Sequence, residues 1–250
     1  MTKRKNRTKS SSRKTGSTAR KGHPLPTRGA QSWQLVCDQE TFDRLRGDQA
    51  FHRLLDLARH INGLRYAISA AASANGDDTP NGDRQRFGTF YYLGGVLFEA
   101  FRLLPQLRPH FENTQSWKEG FAHFGDDNAI LSRVKQGGDL HRLRNHTSFH
   151  FLPMVSAKSL SKLRLDEYTF TSGFGPQSGF VYHNLADAVG MHYLAGAPSD
   201  GTDFGAEAER LAKETRDLAL EYVKYGSNLI GQALLSFGFK TRGSISRSAT

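Results

Sequence analysis

The 250-residue chain has a single cysteine, Cys37, so it holds neither an intramolecular disulfide framework nor a cysteine-rich zinc module. No apolar run reaches ~18 residues, so no stretch reads as a membrane-spanning helix. The N-terminal segment lacks the apolar centre of a secretory signal. It also has too few apolar residues before Leu25 to form the amphipathic helix of an organelle presequence. The expectation is a cytoplasmic protein with no membrane association. Acidic residues are missing from the whole of residues 1–37, which hold ten basic ones. The other 213 residues carry 24 basic and 24 acidic side chains (34 − 10 = 24), so the net charge of +10 belongs entirely to this end.

Residues 1–30 are Lys, Arg, Ser, Thr and Gly with almost nothing to bury. Such a composition does not offset the entropy of ordering, and a disordered basic tail is expected over residues 1–33. Lys3, Arg4, Lys5, Arg7, Lys9, Arg13 and Lys14 are its candidate nucleic-acid contacts, an electrostatic arm that would bind phosphates without reading sequence. The plainer alternative is a solvated tail with no partner.

Beyond the tail, hydrophobic spacing becomes helical. Phe51, Leu54, Leu55, Ala58, Ile61, Leu64 and Ile68 recur every three to four residues, which predicts a helix over 48–74. Residues 75–84, dense in Asn, Gly, Asp and Pro, read as a loop. A second helix is expected over about 85–104, ended by Pro105. Tyr91, Tyr92 and Phe98 read as core aromatics on it, and Gly94–Gly95 as a point of close helix approach. A short helix follows near 116–123. Another, capped by Asp126 or Asp127, runs to about 147 with an interruption at Gly137–Gly138.

Residues 152–182, rich in Ser, Gly and aromatics, read as an irregular excursion or hairpin. Helices return at about 184–195 and 204–237, and residues 240–250 read as a second small tail. The expected architecture is all-α, an antiparallel helical bundle forming one domain over 34–239. The glycine-rich stretch Gly173–Gly179 is not a phosphate loop, because Pro176 removes a donor and no strand–helix unit surrounds it.

The densest chemistry lies in 139–151, where three histidines and two arginines fall within ten residues: His141, Arg142, Arg144, His146 and His150. A core would use apolar residues here, and a solvated helix face would use Lys and Glu. Arg144 and Asn145, four intervening residues, His150 and then Phe151 resemble the R-polar-x4-H signature of the HEPN superfamily. The "RN…FHF" ending is similar to that of bacterial HEPN-like proteins. The motif itself spans seven residues.

The resemblance implies a helical bundle, a motif at a homodimer interface, and metal-independent RNA cleavage with no cofactor. It further implies toxin or antiviral-defence biology, with an antitoxin as partner protein. In that reading His150 is the general acid or base and Arg144 the phosphate clamp. Asn145 would orient phosphate or imidazole, with His146, Arg142 and Glu99 in support. The residue types suit the chemistry: histidine titrates near neutrality, and a guanidinium stays charged and forks onto phosphate oxygens. On an ideal helix, however, six residues at ~100° each place Arg144 and His150 ~120° apart. A bend between them, or a second copy of the chain, is needed to bring them together.

Other readings of the same stretch stand beside this one. His146 and His150 share a helical face, as in a zinc pair. Thr147 occupies the place of the usual Glu, and third ligands would have to come from His141, Asp139 or His183. The segment can also be a polar helix end whose Arg and His cap carbonyls. The protein would then be a non-catalytic interaction module, or a nucleic-acid binder driven by its tail. Glu99, inside the apolar run 95–104, needs a partner. Arg144 or Arg142 across the bundle would serve, although solvent with Arg102 beside it is the commoner arrangement.

Overall fold

The structure is a computed structural model that describes residues 32–74, 80–126, 128–148, 184–195 and 204–245, with Ser159 and Lys162. It is all-α apart from two short paired strands. The elements are β1 (Ser32–Val36), α1 (Gln39–Leu45), α2 (Gln49–Ala74), α3 (Pro80–Phe111), a first π-helical turn (Trp117–Phe121), α4 (Ala122–Asp126), α5 (Asn128–Val134), α6 (Asp139–Arg142), a second π-helical turn (Leu143–Ser148), α7 (Asn184–Leu194), α8 (Phe204–Ser236) and β2 (Lys240–Ile245). Leu35–Lys240 forms one compact unit. Residues 1–34 and 241–250 group separately; of these only 32–34 and 241–245 are described, as parts of the paired strands.

Three long helices make the core. Asp48 caps α2, its carboxylate accepting from the Phe51 amide at 2.9 Å. Leu54, Leu57, Ile61 and Leu64 then place one buried stripe against α3 and α8. α2 and α3 run antiparallel: Arg86 donates to the Ala74 carbonyl, Tyr92 meets Tyr66, and Val96 lies over Gly63. α8 also runs antiparallel to α2, since Phe237 packs on Phe51 while Gly226 lies against Ile61. Tyr222 is buried at the centre. Its hydroxyl donates to the Ala100 carbonyl at 2.7 Å, and its ring touches Phe101, Phe121 and Phe124.

α3 is longer than the sequence implies. Pro105 does not end it; both Pro105 and Pro109 lie inside, and the helix reaches Phe111. An interior proline costs ~3 kcal/mol through its lost hydrogen bond and steric clash. Here both prolines are exposed, while Leu103, Leu104, Leu107 and Phe111 are buried and hold the helix to the core. Pro80, read as loop, instead starts the helix, a position where the missing N–H has no partner to lose.

The helix expected from Asp126 or Asp127 to 147 is divided. α5 ends at Val134, and Gly137, at φ +85°, turns the chain into α6. A Cβ on Gly138 would lie 2.2 Å from the Arg133 carbonyl oxygen, so the turn closes only around glycine. Residues 240–245, read as tail, form β2, and 32–36 form β1. Neither five- or six-residue segment shows strong alternation, and each is defined by a partner some two hundred residues away. The basic tail contacts and the irregular excursion at 152–182 lie outside the described residues, except Ser159 and Lys162.

Candidate active site

Arg144 and Asn145 lie in the second π-helical turn. Such turns are rare and are frequent at functional sites. This one is fixed by Leu143, which is buried with Phe90, Met191, Leu194 and Leu211. Its seat against α3 is Gly94: a Cβ there would stand 2.1 Å from Leu143 Cδ2. The glycine pair thus marks a close approach, made at Gly94 by the residue directly before the arginine.

The Arg144 side chain is 28% exposed and reaches back to α3, where Nε donates to Glu99 Oε1 at 2.8 Å. Its Nη1 donates to Asn145 Oδ1 at 2.7 Å. Glu99 is 33% exposed and also accepts from Arg102 Nη1 at 3.4 Å. Glu99 therefore takes the less expected of the two arrangements weighed for it. It pairs with Arg144 across the bundle and keeps Arg102 beside it, in place of facing solvent with Arg102 alone. Two guanidinium groups share one carboxylate, so the trio carries a net positive charge at a partly open surface. Arg102 also lies over the Phe98 ring, and His141 meets that ring edge-on at 5.9 Å.

Arg142 is placed differently. Its Nη1 donates to the Gly137 carbonyl at 2.6 Å and its Nη2 to the Leu194 carbonyl at 2.9 Å. It fastens the start of the segment and satisfies the C-terminal end of α7, a structural task. The His146 backbone belongs to the π-helical turn, whereas its side chain and all of His150 lie outside the described residues. So do Lys3, Arg4, Lys5, Arg7, Lys9, Arg13, Lys14 and His183. Among the described residues no group of three or more His, Cys, Asp or Glu side chains is arranged to hold a metal ion. No described helix is long and apolar enough to cross a membrane.

Two features of this region were not apparent from the sequence. Arg133 binds Asp139 in a fork, with Nε 2.9 Å and Nη2 2.7 Å from Oδ2, and Nη2 also donates to Thr215 Oγ1 at 2.9 Å. This clamp spans the Gly137 turn and sets the direction of the segment leading to Arg144. Tyr92, expected in the core, is 41% exposed and meets Tyr66, itself 70% exposed, edge-on at 6.0 Å. The Tyr92 ring lies along α2, its hydroxyl close to Gly63, where a Cβ would stand 3.5 Å away. Comparison of the chain with protein-family models, curated proteins and solved structures gives no match.

Proposed function

We propose that the protein is a metal-independent endoribonuclease of the HEPN type, acting at Arg144, Asn145 and His150. The observation that supports this reading is the trio of Arg102, Glu99 and Arg144 beside Asn145. It is a net-positive, partly exposed cluster, with its arginine pre-oriented by one carboxylate and one amide. An incoming phosphodiester replaces the carboxylate as the acceptor for Arg144. The 2′-hydroxyl then attacks phosphorus, its proton passing to a base, and the 5′-oxygen leaves with a proton from an acid. His150 serves as one of these two groups. Arg144 balances the charge of the phosphorane, the largest expected share of the rate enhancement. Products carry 2′,3′-cyclic phosphate and 5′-hydroxyl ends.

Tyr66 and Tyr92 extend the same surface. Tyr92 lies seven residues before Glu99, two helical turns and about 10 Å along one face of α3, where exposed rings can stack on unpaired bases. The tail adds affinity without sequence preference, and a homodimer places two motifs together. A toxin or phage-defence role, with a protein antitoxin, fits such an activity in the cytoplasm.

One observation favours a second reading, a non-catalytic interaction module. Arg142 and Arg144 both make internal contacts that a purely structural helix end would also use. The deciding experiment is incubation of the full chain with mixed RNA in EDTA, beside the Arg144→Ala and His150→Ala variants. Cleavage by wild type alone, leaving cyclic phosphate ends, supports the nuclease. No cleavage by any of the three supports the module. Equal cleavage by all three places the activity elsewhere.

A further inference from the structure

A cleft of about 440 Å³ opens between the C-terminal half of α3, the first π-helical turn and α5. Its floor is aromatic: Phe101, Trp117, Phe121 and Phe124, all buried. Leu104 and Val134 complete the apolar wall, and Leu131, an exposed large apolar residue, stands at the lip. The size matches small-molecule sites, which run about 300–1,000 Å³ and are mostly apolar with a few placed polar groups.

The walls are held in place before any ligand arrives. Thr114 Oγ1 accepts from the Trp117 amide and donates to the Phe111 carbonyl, fixing the start of the π-helical turn. On the far side the turn is pressed against α8, since a Cβ on Gly120 would come within 2.5 Å of the Tyr225 ring. Phe121 and Phe124 are each braced against the buried Tyr222. The rings therefore form a standing surface with little side-chain freedom left to lose on binding.

The charged side chains that line the cleft, Arg108, Glu112 and Lys118, do not cancel. Arg108 pairs with Glu112 at 3.2 Å. Glu119 does not line the cleft and is held by the Gln115 side-chain amide. Lys118, on the cleft wall and exposed, forms no ion pair among the described residues. One ammonium is left over at the mouth of an aromatic cavity. We infer that this cleft binds a small amphiphilic anion: a flat aromatic body set against Phe101, Trp117 and Leu131, with one anionic group directed to Lys118. The site is separate from the Arg144 cluster, and the inference does not depend on the nuclease reading.

The test uses the full chain with Trp33→Phe, which leaves Trp117 as the single tryptophan. The probes are 8-anilinonaphthalene-1-sulfonate, its uncharged analogue N-phenyl-1-naphthylamine, and decanoate as a ringless anion. The sulfonate is expected to quench Trp117 saturably at one site per chain, with decanoate at least tenfold weaker. Lys118→Gln and Leu131→Glu, both at exposed positions that leave the fold intact, should each weaken the sulfonate at least fivefold. The uncharged analogue should change less than twofold in Lys118→Gln. Absence of saturable quenching, many sites per chain, or sulfonate binding unmoved by both variants would overturn the inference. Decanoate binding as tightly as the sulfonate would overturn the aromatic preference.

Discussion

Arg144 crosses 45 residues of sequence to meet Glu99, Nε to Oε1 at 2.8 Å. The contact ties the π-helical turn to the middle of α3. Exposed pairs are worth ~0–1 kcal/mol, while breaking a buried one costs ~3–5 kcal/mol. With both side chains about a third exposed, this pair belongs near the upper end of the surface range.

A double-mutant cycle of Glu99→Ala and Arg144→Ala, read by urea unfolding, is therefore expected to give a coupling of about 1 kcal/mol. The same cycle on Glu99 and Arg102, at 3.4 Å and more exposed, should fall below about 0.5 kcal/mol. Equal coupling in the two cycles would contradict the geometry, because only the first pair spans two elements.

What could be read in advance follows from range along the chain. The span of α2 was legible, since its Asp48 cap and its three-to-four spacing are local signals. One member of the stripe was not: Leu55 is 47% exposed, and Leu57, not among the expected residues, takes the buried place. The end of α3 was not. Pro105 is a local stop signal, and it was outvoted by Leu107 and Phe111, whose burial depends on partners elsewhere in the chain. Tyr92 failed as a core residue because it flanks the buried face of α3, which Leu93 and Leu97 occupy. The Arg144–Glu99 contact was foreseen as one option because a carboxylate in an apolar run needs a partner. The Arg133–Asp139–Thr215 clamp was not, because Thr215 carries no signal of a distant arginine. The aromatic cleft was equally hidden, its rings being ordinary core residues until a π-helical turn opens a space beside them.

Asp139→Asn is expected to destabilise the protein by about 3 kcal/mol. Its carboxylate is 13% exposed and takes a forked contact from an arginine that is 17% exposed, so the variant leaves a nearly buried guanidinium without its counter-charge. For a unit of this size that corresponds to a fall of roughly 6–12 °C in Tm. Thr215→Val, which removes only the third hydrogen bond, should cost about 1 kcal/mol. A loss in Asp139→Asn no larger than in Thr215→Val would mean that the fork is not closed in solution.

Gly94→Ala should cost about 1–3 kcal/mol, since its new methyl group would overlap the buried Leu143 side chain. The cost ought to be relieved from the other side. Leu143→Ala alone removes a core side chain at about 2–5 kcal/mol, but it also vacates the contested space. The Gly94→Ala, Leu143→Ala double variant is thus expected to be at least 1 kcal/mol more stable than the sum of the singles predicts. Strict additivity, measured by chemical unfolding, would show that the two positions do not touch.

Tyr222 gives the fold a defined alkaline limit. Its hydroxyl is buried and donates to the Ala100 carbonyl, and burial pushes its ionisation far above the usual tyrosine range. In the unfolded chain the same group loses its proton near pH ~10. The folded state therefore holds more protons than the unfolded state above that pH, and stability falls as pH rises through this region. The contribution is intact below about pH 10, and one pH unit above the unfolded pKa the loss reaches about 1.4 kcal/mol. Tyr222→Phe lacks the titration but also lacks the hydrogen bond, which is worth about 1 kcal/mol. At pH 8 the variant should accordingly be about 1 kcal/mol less stable than wild type. By pH 11 the gap should have closed, because wild type alone has paid the ionisation penalty at this position. Urea midpoints of the two proteins between pH 8 and 11 test this directly. Curves that stay parallel across the range would mean that the hydroxyl is not held in the core as the structure has it.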